Sequence, residues 1–355
     1  MDSDEMRHFI QNFSFDRCKR GSQGFNRILI QLFGLLGNGK SSFINTCIYV
    51  WEDQQFKNWA KAWGSDGGST TERIPYKLTE NITLVDNRGC AKMDEREYGE
   101  IYAQLGNLLP LGKKVEWAKE FQLVERITRA EKEIKSSDFV FPVFIHSVRN
   151  EITLQEKEDL KSLFHTAQML TGVFPIVVLT RKTAGSLIAT EGIFRDIGVD
   201  RIFSFENYTQ KDHMKTRGKH EELLKFLCEV IKDVQFRVEK IPRDPVKETA
   251  ERRKFVLKYV HEADMRAKQR EEENRKAKEK AEREKILREQ EEARRKQRER
   301  EEQKLQEDLR RKQQELERIK EQESQDQKAK ELQAEKEAQG AKKPNRFLAI
   351  FKSKK

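Results

Sequence analysis

One stretch constrains the fold more than any other: Phe25 to Asn45, FNRILIQLFGLLGNGKSSFIN. Ile28 to Phe33 is a nearly uninterrupted apolar run, as expected of a strand buried on both faces. It ends at Gly34, and GLLGNGKS from Gly34 to Ser41 follows the spacing GxxxxGK[ST]. Gly34, Gly39, Lys40 and Ser41 occupy the fixed positions. Ser42 to Val50 then reads as a helix with an apolar face.

That order of residues suits the binding of phosphate groups. Glycines let the backbone curl so that successive N–H groups, here from Leu35, Leu36, Gly37 and Asn38 through to Ser42, point inward at phosphate oxygens. The following helix adds its positive end to the same spot. Lys40 is expected to reach the β- and γ-phosphates of a nucleotide, and the Ser41 hydroxyl to take one position on Mg²⁺.

The rest of the first 245 residues alternates strands and helices. Residues 1–24 read as a polar lead-in with one short helix. Trp51, Trp59 and Trp63 are expected to pack. Gly64 to Arg73 is loop-like, small and polar. A strand pair follows at Ile74–Leu78 and Ile82–Val85, then mostly helical sequence over 94–136, broken near Pro110 and Gly112. Phe139–Ile145 is a strand interrupted by Pro142, Leu154–Leu170 an amphipathic helix, and Val173–Leu179 a strand. Leu187–Ile197 (helix), Arg201–Phe205 (strand) and Glu221–Val234 (helix) close the series. Such alternation predicts an α/β fold with a mostly parallel sheet and flanking helices.

Charge divides the chain in a different way. Residues 1–245 carry 36 Lys+Arg against 35 Asp+Glu, residues 246–340 carry 29 against 26, and the last fifteen carry six basic groups and no acidic one. The formal net charge of +10 therefore belongs mostly to the tail, and a broad nucleic-acid surface is not expected. Cys18, Cys47, Cys90 and Cys228 are scattered without metal-ligand spacing, which reads as buried free thiols in a reducing compartment. With no secretory pattern and no apolar run of membrane-spanning length, the expected location is cytoplasmic.

From Val246 to Gln339 nearly every residue is Glu, Lys, Arg, Gln or Ala, without proline or glycine. Acidic residues stand four positions before basic ones, among them Glu271, Glu272, Glu291, Glu292, Glu307 and Asp308, and each pair favours a helix by a few tenths of a kcal/mol. Leu305, Leu309, Leu316 and Ile319 fit one heptad register, but neighbouring heptads put Arg295, Arg298 and Lys312 on the seam. A long solvated helix over 246–340 is favoured over a stable dimeric coil, with self-association or protein partners as its use. Phe255–Val260 is apolar enough to dock on the globular part. Residues 341–355 form a basic and apolar tail: KKPNRFLAIFKSKK admits either weak contact with an anionic membrane or a docking peptide. The expected organisation is thus 1–24, 25–245, 246–340 and 341–355.

Two further elements match a nucleotide site. Asp86 ends a buried strand and is followed by Gly89, the DxxG arrangement in which a carboxylate holds Mg²⁺ through water and a glycine N–H meets the γ-phosphate. Thr70 or Thr71, with Ser69 as a third candidate, sits where a loop threonine adds a hydroxyl to Mg²⁺ and closes over the γ-phosphate. Ser41, Thr70 and Asp86 form the expected metal set. Guanine-binding proteins carry [NT]KxD after the fifth strand, where the aspartate pairs with guanine N1 and N2. Here Thr180-Arg181-Lys182-Thr183 stands there: Thr180 fits and Arg181 replaces the lysine stem, but Thr183 cannot accept two hydrogen bonds. Asn207-Tyr208 is placed to complete the base pocket. Cys90 occupies the position of the water-orienting glutamine, and Arg73 and Arg88 are the available arginines.

With these residues in view, the chain resembles P-loop GTPases over roughly residues 25–236. Within them it is most similar to the interferon-induced protein-44-like group of immune GTPase relatives. The residues that carry this are GLLGNGKSSFIN, VDNRG, VVLTRKT and FSFENY. The resemblance implies a G-domain-like fold, binding of GTP or GDP with Mg²⁺, cytoplasmic location and a role in innate immune responses. Cys90 implies hydrolysis that is slow or completed by assembly. The alternative is a non-catalytic scaffold acting through its long helix. An adenine-nucleotide enzyme is kept open by Thr183.

Overall fold

The computed structural model describes residues 1–61, 72–90, 95–115 and 121–340, with backbone alone at 95, 96, 121 and 337–340. Thr70, Thr71, Ser69, Trp63 and the basic tail 341–355 lie outside the described residues.

The chain runs α1 (Ser3–Gln11), β1 (Arg27–Phe33), α2 (Lys40–Glu52), β2 (Ile74–Thr79), β3 (Ile82–Asp86), α3 (Glu95–Leu105), α4 (Phe121–Ala130) and β4 (Asp138–Ser147). It continues through α5 (Leu154–Thr171), β5 (Ile176–Thr180), α6 (Leu187–Ile197), β6 (Ile202–Phe205), α7 (Arg217–Lys240) and α8 (Pro245–Gly340). The six strands form one sheet in the order β2-β3-β1-β4-β5-β6. All neighbours are parallel except the β2–β3 pair. The expected mostly parallel α/β sheet with flanking helices is therefore present.

Sheet order explains why β1 and β4 are so apolar. Both are central, so every side chain meets a covered face. One core cluster lies on the face carrying Ile28, Ile30 and Leu32 of β1 and is covered by α1, α2 and α7. The other holds Phe33, Phe144, Phe164 and Phe194 and is covered by α3, α4, α5, α6 and the first turns of α8. Pro142 does not interrupt β4. It pairs in register with Gln31 of β1, while pairing with β5 begins only at Val143. A residue without an N–H is tolerated where one flank of its strand is still open.

Two expected boundaries move. Residues 1–24 are no lead-in: Met6, Ile10, Phe13 and Phe15 are buried in the first core cluster. Their spacing of three to four residues in α1 puts Met6 and Ile10 on one face, which was hidden in the sequence by the polar residues between them. The compact unit also runs past 245, to Gln269. Val256 and Val260 of α8 are buried, Tyr259 meets Tyr102 edge-on at 4.9 Å, and Arg252 donates to the carbonyl of Gly106 at 3.1 Å. Docking of Phe255–Val260 was expected, and it carries the boundary with it.

The second unit, Arg270–Lys355, is described as far as residue 340 and is helical to there. Lys276–Glu272 and Arg311–Glu307 pair as the sequence predicts, whereas Arg275 and Arg295 pair forward with Glu279 and Glu299. Leu305, Leu309, Leu316 and Ile319 are about half exposed or more, in keeping with a solvated helix in a single chain. Among the described residues no helix is long and apolar enough to cross a membrane. The four cysteines are buried. Trp51 packs partly against the core, but Trp59 is exposed rather than packed.

Candidate functional site

The carboxyl ends of β1, β3 and β5 meet above the sheet, where the glycine-rich loop links β1 to α2. Its backbone is left-handed at Gly34, Gly37 and Gly39, with φ of 139°, 77° and 90°. Gly34 has a second reason to be glycine. A Cβ there would stand 2.4 Å from the carbonyl oxygen of Ile145, so the loop can leave β1 only without a side chain. Gly39 precedes the first turn of α2 and aims that helix's free N–H groups into the loop.

Lys40 is almost fully buried, and its Nζ donates to the carbonyls of Gly34 at 3.1 Å and Leu35 at 3.0 Å. Burial pushes its pKa down, opposed by the nearby negative charge of Asp86. The loop carbonyls and Asp86 keep the ammonium group within the curl of the backbone. Ser41 Oγ donates to Oδ2 of Asp86 at 2.7 Å. A hydroxyl and a carboxylate are thus adjacent at the helix start, an oxygen pair of the kind Mg²⁺ takes from proteins while retaining water and phosphate ligands. Among the described residues no group of three or more His, Cys, Asp or Glu side chains is placed to hold a metal ion.

Gly89 closes the opposite wall. A Cβ there would lie 2.5 Å from Lys40 Nζ and 3.0 Å from Leu36. The chain beyond it is tied to the loop: the N–H of Leu36 donates to the Cys90 carbonyl at 2.9 Å, and Leu35 bridges Cys90 in parallel. Cys90 is buried in this contact.

The segment after β5 joins the loop through Thr180. Its Oγ1 donates to the backbone carbonyl of Asn38 at 2.7 Å. Asn38 is held in turn by its own amide to the Ile145 carbonyl at 3.3 Å and by the Asn150 amide at 2.7 Å. Asn207, after β6, approaches the same place: its Nδ2 lies 3.5 Å from where a Cβ on Gly39 would stand. Its Oδ1 is buried without a hydrogen-bond partner, an acceptor held ready in a polar corner.

The structure therefore brings together Gly34, Leu35, Leu36, Gly37, Asn38, Gly39, Lys40, Ser41, Asp86, Gly89, Thr180 and Asn207. Ser42 lies in the first turn of α2, where its carbonyl accepts from Thr46. Arg181 is exposed with φ of 53°, and Lys182 turns away to Glu222 on α7 at 3.3 Å. Arg73 and Arg88 are not loop cations. Arg73 is wholly buried, donating to Asn87, Gln31, Asn107 and the carbonyls of Gln104 and Leu109. Burial pulls its pKa down to about 9. Arg88 donates to the carbonyl of Val115. Sequence reasoning missed Asn150, which no motif marks, and Glu206, which stood unremarked inside FSFENY.

No family model matches the chain, and no curated protein is similar enough to match it. Among solved structures, that of ttk003000868 from Thermus thermophilus is 15% identical, with a TM-score of 0.28, covering 49% of this chain and 22% of that one. The chain spans about a fifth of the length of that neighbour, and the likeness carries no argument.

Proposed function

We propose that the chain is a Mg²⁺-dependent guanine-nucleotide-binding protein of the P-loop GTPase kind, acting as a switch with slow or assembly-dependent hydrolysis. The observation that carries this reading is the convergence of Lys40, Ser41 and Asp86 at one glycine-curled helix start. Those three residue types in that order suit a nucleoside triphosphate better than any other common anion. The strand order with its single antiparallel edge pair, and the tie from Thr180 to Asn38, support the G-domain form of that reading.

The residues divide the work as follows. Backbone N–H groups from Gly37 to Ser42 bind phosphate oxygens, and Lys40 supplies positive charge between the β and γ positions. Ser41 would hold Mg²⁺ directly and Asp86 through water; the ion when bound neutralises phosphate charge. Gly89 leaves room for Lys40 and offers its N–H to the γ-phosphate. Cys90, buried and carrying a thiol where a water-orienting amide is needed, leaves the attacking water without a protein partner on that side. This supports slow turnover.

A second reading, a non-catalytic scaffold that acts through its long helix, is favoured by Cys90 and by Thr183 in place of an aspartate. Titration of fluorescent GTP, GDP and ATP into the full chain with Mg²⁺, alongside Lys40→Ala, tests both. Guanine-selective binding lost in the variant upholds the switch, and a single-turnover phosphate-release assay then separates it from the scaffold. No binding to any nucleotide overturns the switch and leaves the scaffold.

A further inference from the structure

The sequence puts Thr183 where a guanine-reading loop has aspartate, and a threonine offers no pair of acceptors. In the structure both donors of Thr183 converge on a single atom. Its Oγ1 lies 3.0 Å and its backbone N 3.4 Å from Oε2 of Glu206. Glu206 is the first residue after β6 and is partly buried. The next residue, Asn207, packs its amide toward Gly39 and holds a buried Oδ1 without a partner. Thr180, three residues before Thr183, is fixed to the loop at Asn38. Thus the segments after β5 and β6 meet the glycine-rich loop together, and the carboxylate in that corner comes from the β6 side.

We propose that Glu206 is the guanine-reading residue of this chain, with Thr183 as the positioning residue that orients it; the assignment rests on the nucleotide-binding reading above. Guanine presents two donors, N1–H and the N2 amino group, on the edge that adenine fills with an acceptor at N1. A carboxylate accepts about four hydrogen bonds. Two come from Thr183 to Oε2, so capacity for both guanine donors remains. Relative to an [NT]KxD loop, the carboxylate stands on the β6 side of the contact and a threonine takes its place on the β5 side. Adenine is refused because its N1 lone pair would face the carboxylate with no proton between them. Sites built to hydrogen-bond one partner reject the analogue lacking it strongly.

The test uses calorimetric titration of the full chain with GDP, xanthosine diphosphate and ADP in Mg²⁺. Wild type is expected to prefer GDP over ADP by about 100-fold or more. In Glu206→Gln the amide oxygen stays with the two Thr183 donors and the amino group replaces Oε1, a donor that faces the two donors of guanine but is matched at position 2 by the carbonyl of xanthine. GDP affinity should fall and xanthosine diphosphate affinity rise, each by about 10-fold or more, with ADP nearly unchanged. The double variant Thr183→Asp with Glu206→Ser carries the carboxylate across the contact and should restore the preference for GDP. A thermal melt of each variant shows that it is folded. A GDP preference that Glu206→Gln leaves intact overturns the assignment while the nucleotide site stands, as does wild-type binding with no purine preference. Failure of wild type to bind any of the three overturns the nucleotide reading and this assignment with it.

Discussion

Ser41 Oγ and Asp86 Oδ2 are 2.7 Å apart, joining the first turn of α2 to the last residue of β3. The contact links the helix that starts at the glycine-rich loop to the strand whose end faces it. Ser41→Ala removes the hydroxyl and leaves the fold's packing untouched, since Ser41 belongs to neither core cluster. Nucleotide affinity measured with Mg²⁺ should fall about 10- to 100-fold, the range for losing a hydrogen bond to a charged group. Affinity measured in EDTA should change little. An equal loss under both conditions would remove Ser41 from the metal set.

Gly34 and Gly89 both exclude a side chain, but for different neighbours. At Gly34 the obstacle is the backbone of Ile145 and φ is 139°, so Gly34→Ala should unfold or strongly destabilise the compact unit, by about 3 kcal/mol or more. At Gly89 the nearest obstacle is a side-chain end, Lys40 Nζ, with the Leu36 side chain at 3.0 Å and the Gly34 carbonyl oxygen at 3.3 Å. Gly89→Ala should keep its melting temperature within about 3 °C and instead lose nucleotide affinity, because the displaced ammonium group no longer sits in the loop. Circular dichroism melts and nucleotide titration of the two variants check the contrast.

Arg73 is expected to be a structural cation. It satisfies Gln31, Asn87 and Asn107 and two backbone carbonyls at once, all away from water. Arg73→Met removes a donor from each of those groups, leaving Gln31 Oε1 with the Asn87 amide and the Gln104 carbonyl with the Asn107 N–H, and should cost about 3–5 kcal/mol in urea denaturation. Arg73→Lys should recover little, because a point charge cannot fill a planar fork of partners. If instead Arg73→Met left stability unchanged and abolished GTP hydrolysis, the arginine would belong to the reaction.

The compact unit should require the opening turns of α8. Residues 1–269 contain Arg252, Val256 and Val260, all buried, whereas a chain cut at 245 lacks them. Burial of two valine side chains alone contributes about 3 kcal/mol or more. Urea midpoints of the 1–245 and 1–269 fragments should differ accordingly. Equal midpoints would show that α8 rests on the unit without stabilising it.

Much of this fold was legible in the sequence for a physical reason: buried strands are apolar runs and amphipathic helices repeat at 3.6 residues. Leu187–Ile197 came out with its observed bounds, since Ser186 caps the helix and Gly198 ends it in the left-handed region. The loop and Asp86 were legible because curled backbone and strand ends need particular residues at fixed spacing. What the sequence hid depends on distant partners. The burial of Arg73 depends on Gln31, Asn87 and Asn107, none of which marks itself. Met6 and Ile10 looked like scattered apolar residues in a polar segment until α7 was placed against them. Glu206 and Thr183 lie 23 residues apart, and only the pairing of β5 with β6 brings their loops together.

The seating of α1 on α7 bears on how the chain acquires its structure. The Cys228 thiol lies 3.9 Å from the Met6 carbonyl, across 222 residues of sequence. One face of the sheet is therefore covered both by α1, at the start of the compact unit, and by α7, more than 200 residues later. A growing chain emerging N-terminus first must hold Met6 and Ile10 of α1 without their α7 partners until α7 has been synthesised. Contacts of such separation are slow to form, and the apolar groups waiting for them are open to association with other chains. The arrival of α7 is thus the step that shields α1.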